Sequence, residues 1–219
     1  MEECLLELSK VIARYDFFLK GVLAKKAALP AAIPARLLPI MLAQTDQVER
    51  DLREAGLGLG AVSIVEEGIV WAPEILSDLC GILPHALNNA IDHGFVLPQQ
   101  RGKVLTKRPK LELSCRKIGD EGLIEVVDNG VGIDFERVRD AMLSANPNAA
   151  TLDETDLCEA LFISKMSTAD QVTQRSGRGL GLGAIREQVA TCGGSVWIEN
   201  IAPHGVKLSI RVPLSKKAA

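Results

Sequence analysis

PHALNNAIDHG, residues 84–94, is the stretch whose reading decides the fold. Taken as part of one helix over residues 74–92, it sets His85, Asn89, Asp92 and His93 three or four positions apart on a shared face. Leu76, Leu79, Leu83, Leu87, Ala90 and Ile91 supply an apolar side for burial. Two imidazoles, an amide and a carboxylate do not belong in a core, so the polar face is either solvated or holds a ligand. Asn and Asp oxygens suit a hard cation such as Mg²⁺, which keeps several waters and binds through one or two protein oxygens plus substrate phosphates. A nucleotide with its metal is the guest that this face fits.

Two glycine-bearing stretches strengthen that reading. In DNGVGID, residues 128–134, Asn129-Gly130 alone would suit a tight type I′ hairpin turn. Gly132 adds a second point of close backbone approach, and Asp128 ends a strand with a carboxylate able to accept from the exocyclic amine of adenine. In SGRGLGLGAIREQ, residues 176–188, Gly177, Gly179, Gly181 and Gly183 alternate ahead of a helix. Unencumbered amides at a helix N-terminus attract anions, phosphate above all. The spacing is neither GxxxxGK[ST] nor GxGxxG, which excludes a P-loop or Rossmann reading.

Composition bounds the rest. The chain has 219 residues, 47% hydrophobic and 24% charged, with a formal charge of -3, enough for one large domain with or without an accessory element. No global basic field is present, so no nucleic-acid partner is expected. Cys4, Cys80, Cys115, Cys158 and Cys192 are odd in number and never in CxxC spacing, which reads as reduced thiols without zinc in a cytoplasmic protein. Pro30, Pro34, Arg36 and Pro39 interrupt the apolar run of residues 27–43, so no membrane span is expected.

Along the chain, Leu5, Leu8, Ile12, Tyr15, Leu19 and Val22 form the seam of one helix, and Leu37, Met41, Gln44, Val48, Leu52 and Ala55 a weaker stripe on a second that Gly56 ends. An α-helical hairpin over residues 1–56 is predicted, packed on the main domain, on a second copy or on a partner. β-like runs follow at residues 61–66 and 69–71, then the helix opened by Pro73. Residues 95–109 read as a loop, and 110–117 and 123–128 as an antiparallel pair. Asp134 caps a helix over 135–143, residues 144–155 read as a loop, and a short helix covers 156–162. A helix over 180–192 and a hairpin of 195–200 with 206–212 close the chain.

The order HxxxN on a helix, then DxGxG, then GxGxG before a helix resembles the Bergerat (GHKL) ATP-binding fold of histidine kinases. HALNNAIDHG, EVVDNGVGID, FISKMSTADQV and SGRGLGLGAIRE look most like the catalytic domain of CheA-type chemotaxis kinases, over roughly residues 48–214. The resemblance implies an α+β fold, a two-layer sandwich with a mixed, mainly antiparallel sheet under helices, over residues 57–219. It implies ATP and Mg²⁺ as ligands, with Asn89 on the metal, Asp128 on the adenine amino group, and Gly130 and Gly132 admitting the nucleotide. His85, Asp92 and His93 would line the phosphate side, His85 orienting or deprotonating the nucleophile. Ser167 and Thr168, with Gly177, Arg178, Gly179, Leu180, Gly181 and Leu182, would form the lid hinge and phosphate cradle.

The chain departs from the family in two places. No histidine precedes His85, so the phosphoacceptor histidine is expected on another protein or phosphotransfer domain in trans, with a response regulator downstream, or the chain is a fragment. Ser164, Lys165 and Met166 stand where the family has Pro-Gly-Phe. The expected function is an ATP-dependent protein histidine kinase module. The alternatives are an ATP-binding phosphorelay scaffold without kinase activity and an anti-sigma-type serine kinase. A homodimer through the hairpin is one expected use of residues 1–56.

Overall fold

The computed structural model describes residues 37–57, 61–96, 107–143, 147–163, 181–202 and 204–215. The chain divides into two units, Met1–Pro34 and Ala35–Ala219. The first predicted helix lies outside the described residues.

The second predicted helix, α1 (Leu38–Glu54), carries Pro39 in its first turn, where no intrahelical N–H is needed. Gly56, at φ +73°, ends it. The Gly56 N–H donates to the Arg53 carbonyl at 3.0 Å and the Leu57 N–H to the Leu52 carbonyl at 2.9 Å, a Schellman closure. Leu37, Met41, Val48 and Leu52 are buried in one core with the sheet and the following helices. By its packing α1 therefore belongs to the sheet unit, and the boundary expected between residues 56 and 57 falls inside that unit.

Strand β1 (Ala61–Glu66) follows as expected. Residues 69–71, expected as a second β-like run, are not a strand. Glu66 Oε1 accepts the Ile69 N–H at 2.8 Å, withdrawing it from any ladder, and Gly68 turns at φ +74°. Ile69 and Trp71 are nevertheless buried, so the apolar alternation reflected a covered loop. The Trp71 ring fills the space beside Gly122, where a β-carbon would meet it at clashing distance.

Helix α2 (Pro73–Ile91) crosses over to β2 (Lys110–Ile118), which pairs in parallel with β1. Strand β3 (Glu121–Asp128) returns antiparallel to β2, and the chain continues through α3 (Phe135–Leu143), α4 (Glu154–Ile163) and α5 (Leu182–Thr191). Strands β4 (Ser195–Asn200) and β5 (Val206–Pro213) form the closing hairpin, and β5 inserts between β3 and β4. Among the described residues the sheet order is β1-β2-β3-β5-β4, parallel only at β1 and β2. This is the mixed, mainly antiparallel sheet of an α+β two-layer sandwich.

Alternation makes the layers. Leu111, Leu113 and Cys115 on β2, Ile124 and Val126 on β3, and Leu208, Ile210 and Val212 on β5 meet Ile75, Leu79, Ile82, Leu83, Ala86, Leu87 and Ile91 of α2. Each such aliphatic side chain contributes about 1.5–3 kcal/mol by leaving water. The outward row carries charge instead: Glu125 meets Arg116 at 2.9 Å and Lys207 at 3.9 Å, and Lys207 meets Glu199 at 2.6 Å.

The loop expected at residues 144–155 is shorter. Residues Pro147–Thr151 form a 3₁₀ turn, and α4 begins at Glu154 because Asp153 caps it, its Oδ1 accepting the Asp156 N–H at 2.8 Å.

Candidate functional site

The site grows from where α2 ends. Pro84 inside the helix removes the N–H that would reach the Cys80 carbonyl, a local weakening one residue before His85. Beyond Ile91 the helix widens into a π turn, Asp92–Val96, a distortion found often at functional sites. His85, Asn89 and Asp92 are partly buried and His93 is exposed. The widened turn carries Gly94, Phe95 and Val96 into the core, with Gly94 beneath the end of β3.

Asp128 is the last residue of β3. Residues 124 and 126 face the helices, and the same period of two sends the Asp128 side chain into that layer, where it is 4% exposed. A β-carbon on Gly94 would lie 3.1 Å from Asp128 Oδ1. Burial pushes the Asp128 carboxyl up to about 6, against the opposing pull of the Gly130 and Val206 N–H groups. The Gly130 N–H donates to Oδ1 at 2.8 Å.

The loop after β3 is not a hairpin turn, since it leads into α3. Asn129 ties it back to β2, its Oδ1 accepting the Lys110 N–H at 2.6 Å and its Nδ2 donating to the Arg108 carbonyl at 3.0 Å. Gly130 packs on the backbone of Gly94, whose Cα would be 2.6 Å from a β-carbon there, and the Val131 N–H donates to the Gly94 carbonyl at 3.2 Å. Gly132 takes φ +82°. The far end is held by Asn200, which accepts the Ile133 N–H at 2.7 Å and donates to the Ile133 carbonyl at 3.2 Å.

Asn89 tests whether a phosphate-bearing ligand fits. Its Nδ2 is buried without a hydrogen-bond partner among the described residues. An unpaired amide of this kind costs about 1–3 kcal/mol, a cost that an oxygen-rich ligand removes. Among the described residues no three His, Cys, Asp or Glu side chains converge on a metal position. A cation beside Asn89 would therefore take most of its ligands from phosphate and water, which is how Mg²⁺ binds.

At the other side, Gly181 is the N-cap of α5 in an extended conformation with no side-chain cap bond, and Leu182 is the first helical residue. A β-carbon on Gly183 would lie 3.1 Å from the Phe162 carbonyl oxygen, so glycine lets α5 start against the end of α4. Arg186 joins the two helices, 2.8 Å from Glu159 and 4.2 Å above the Phe162 ring. Ser167, Thr168, Gly177, Arg178, Gly179 and Leu180 lie outside the described residues.

The structure thus brings the end of α2 against Asp128, Gly130 and the glycine loop. The pattern of histidine kinase-, DNA gyrase B- and HSP90-like ATPases matches residues 75–216, from the start of α2 past the end of β5. The chain belongs to this ATPase family. This family member is 38% identical over 207 residues to the gliding motility regulatory protein of Myxococcus xanthus, a match covering 90% of the chain and 26% of that protein. It is 31% identical over 148 residues to the chemotaxis protein CheA of Bacillus subtilis, covering 64% of the chain and 22% of that protein. The match thus spans about a quarter of the length of these relatives. In fold the ATPase-family chain is similar to the catalytic domain of the histidine kinase ThkA in a nucleotide-free form, with a TM-score of 0.53 at 16% identity over 82% of this chain and 95% of that one.

Three residues of the site carried no assigned role in the sequence. Gly94 stood inside the opening motif, where its glycine identity after a helix was a usable signal. Gly205, at φ +124°, packs so close to the Asp128 carbonyl that a β-carbon would lie 3.1 Å from its carbon. Asn200 gave no signal, being one polar residue at a strand end.

Proposed function

We propose that this chain is the ATP-binding catalytic module of a CheA-type protein histidine kinase, transferring the γ-phosphoryl group of ATP to a histidine on a partner protein in trans. The observation that carries this reading is the buried Asp128 carboxylate at the mouth of β3, set against the turn that follows the polar face of α2. An acceptor there suits the adenine amino group, and the orphaned amide of Asn89 suits the phosphate side.

In this reading the ionised Asp128 accepts from the adenine amine, and the glycine contact between residues 94 and 130 lets the loop close on the π turn beside it. Bound Mg²⁺ supplies charge neutralisation on the phosphates, and Asn89 would be its protein ligand, beside Asp92 and His93. His85 orients the incoming imidazole or takes its proton. The imidazole nitrogen forms the new N–P bond as the bond from the γ-phosphorus to the bridging oxygen breaks, and ADP leaves with that oxygen. Positioning and charge neutralisation provide most of the rate in such transfers. Ser167, Thr168 and residues 177–182 complete the phosphate cradle in this proposal, and a response regulator receives the phosphoryl group next. Self-association is proposed for the apolar seam of residues 5–22, because the α1 stripe is already buried. Among the described residues no helix is long and apolar enough to cross a membrane, and a cytoplasmic location is part of the proposal.

Calorimetric titration with a non-hydrolysable ATP analogue, with and without Mg²⁺, tests the site. Binding that weakens in Asp128→Asn supports it, and a wild-type chain that binds nothing refutes it. Phosphotransfer from ATP to an isolated histidine phosphotransfer domain, giving an acid-labile product, tests the activity. An acid-stable product would indicate a serine kinase, and tight ATP binding with no transfer to any acceptor would indicate a scaffold.

A further inference from the structure

The loop that would read the base is held at both ends by the tip of one hairpin. Gly205, just before β5, packs on the Asp128 carbonyl, and the N–H of Val206, the first residue of β5, favours the ionised Asp128 carboxylate. Asn200, the last residue of β4, is the ladder partner of Val206, and the Ile201 N–H closes the tip on the Gly205 carbonyl at 3.1 Å. The Asn200 amide takes both main-chain groups of Ile133, at 2.7 Å and 3.2 Å, as a peptide unit would in a ladder. A circuit is thereby closed from Asp128 through Gly130 and Ile133 to Asn200 and back through the Gly205 backbone, which packs on the Asp128 carbonyl.

Gly132 sits inside that circuit at φ +82°, where a β-carbon would lie 3.2 Å from Asn200 Oδ1. Between Asn129 at one end and Asn200 at the other, residues 130–132 have little conformational freedom. We propose that Asn200 is a positioning residue for base selection: by fixing Ile133 it holds the Gly130–Gly132 segment in register with Asp128, so that the acceptor and the glycine floor present one shape to an adenine. Its amide is spent on the loop backbone. This rests on the nucleotide reading given above.

The consequence is specific to the base. Releasing Ile133 lets the loop sample other shapes, which weakens adenine recognition while leaving the phosphate side, built on α2 and α5, in place. The ratio of affinities for ATP and GTP is therefore the quantity that Asn200 controls.

The test is titration of the full chain with Mg²⁺ and non-hydrolysable analogues of ATP and GTP, for wild type, Asn200→Ala, Asn200→Asp and a control, Leu52→Ala. The control removes core packing in α1, far from the loop in sequence, and lowers the melting temperature without touching the circuit. Asn200→Ala is expected to lose about tenfold in ATP affinity, the scale of one to two net hydrogen bonds, with a matching fall in the ATP-to-GTP ratio. Asn200→Asp keeps the acceptor for the Ile133 N–H and recovers part of the ratio, and it carries the same test if the alanine variant fails to fold. An unchanged ratio in Asn200→Ala, a wild type that binds both analogues equally, or an equal loss of ratio in Leu52→Ala overturns the assignment. A wild type that binds neither analogue instead overturns the nucleotide reading itself, so the two failures are told apart by the first titration.

Discussion

The backbones of Gly94 and Gly130 are in direct contact: a β-carbon on Gly130 would stand 2.6 Å from the Gly94 Cα, and the Gly94 carbonyl accepts the Val131 N–H at 3.2 Å. Neither glycine is at positive φ, so what this contact requires is absence of side-chain volume. Gly130→Ala should destabilise the fold by about 1–3 kcal/mol, the usual cost of forcing atoms into a packed position. It should also weaken nucleotide binding, because the loop can relieve the clash only by moving off Asp128. Denaturant unfolding checks the first statement, and an unchanged midpoint would contradict the packing.

Asp128 gives the pH dependence. Its carboxyl titrates near 6 in the folded chain, above an ordinary unfolded value of about 3.9, so the folded state binds more protons between those limits. Stability attributable to this group is present below about pH 4 and is lost as pH rises through 6. The stability of wild type relative to Asp128→Asn should thus shift in favour of wild type as the pH is lowered from 7.5 to 4.5. Affinity for ATP should move the opposite way, falling below pH 6 as the acceptor is protonated. Parallel thermal melts and titrations across this range would show both trends, and a pH-independent difference would remove the assigned burial effect.

Asn89→Ala separates binding from folding. Because its buried Nδ2 has no partner among the described residues, deletion should not lower the stability of the ligand-free chain, since removing the orphaned donor relieves about 1–3 kcal/mol of desolvation cost that offsets the lost packing. The enhancement of ATP-analogue binding by Mg²⁺ should fall about tenfold or more. A large loss of ligand-free stability would mean that the amide is structural.

Gly122→Ala addresses the opposite end of β3. A β-carbon there meets the ring of Trp71, which is 2% exposed, and one of the two must move. A loss of about 1–3 kcal/mol is expected, with a change in tryptophan emission. Nucleotide affinity of the folded fraction should be unaffected, since the change lies at the strand end remote from Asp128.

Much of this architecture was legible in the sequence because it obeys local periods. The strands read at residues 110–117 and 123–128 alternate, and the helix read over residues 74–92 carries its apolar residues at three and four, so burial of Leu79, Leu83, Leu87 and Ile91 followed from spacing, while Glu121 and Gly122, read as turn, extend the second strand. Asp134 before a helix and Gly193 after one were legible for the same reason, since caps act within a few residues.

What the period could not distinguish was which apolar alternation belongs to a ladder: Ile69 and Trp71 alternate and are buried, yet Glu66 takes the Ile69 N–H and the segment covers the sheet as a loop. The affiliation of α1 was likewise decided by packing, because an apolar stripe specifies that a helix is covered and not by what. The site divides along the same line. The sequence by itself supplied the residues proposed for it, His85, Asn89, Asp92, Asp128 and the glycines, because residue types and local spacing are what a motif carries. Only the tertiary structure decided that Gly94 packs on Gly130, that Gly205 approaches the Asp128 carbonyl, and that Asn200 grips Ile133 from another strand. Those contacts join residues far apart in the chain, and sheet order and register bring them together where no local rule reaches.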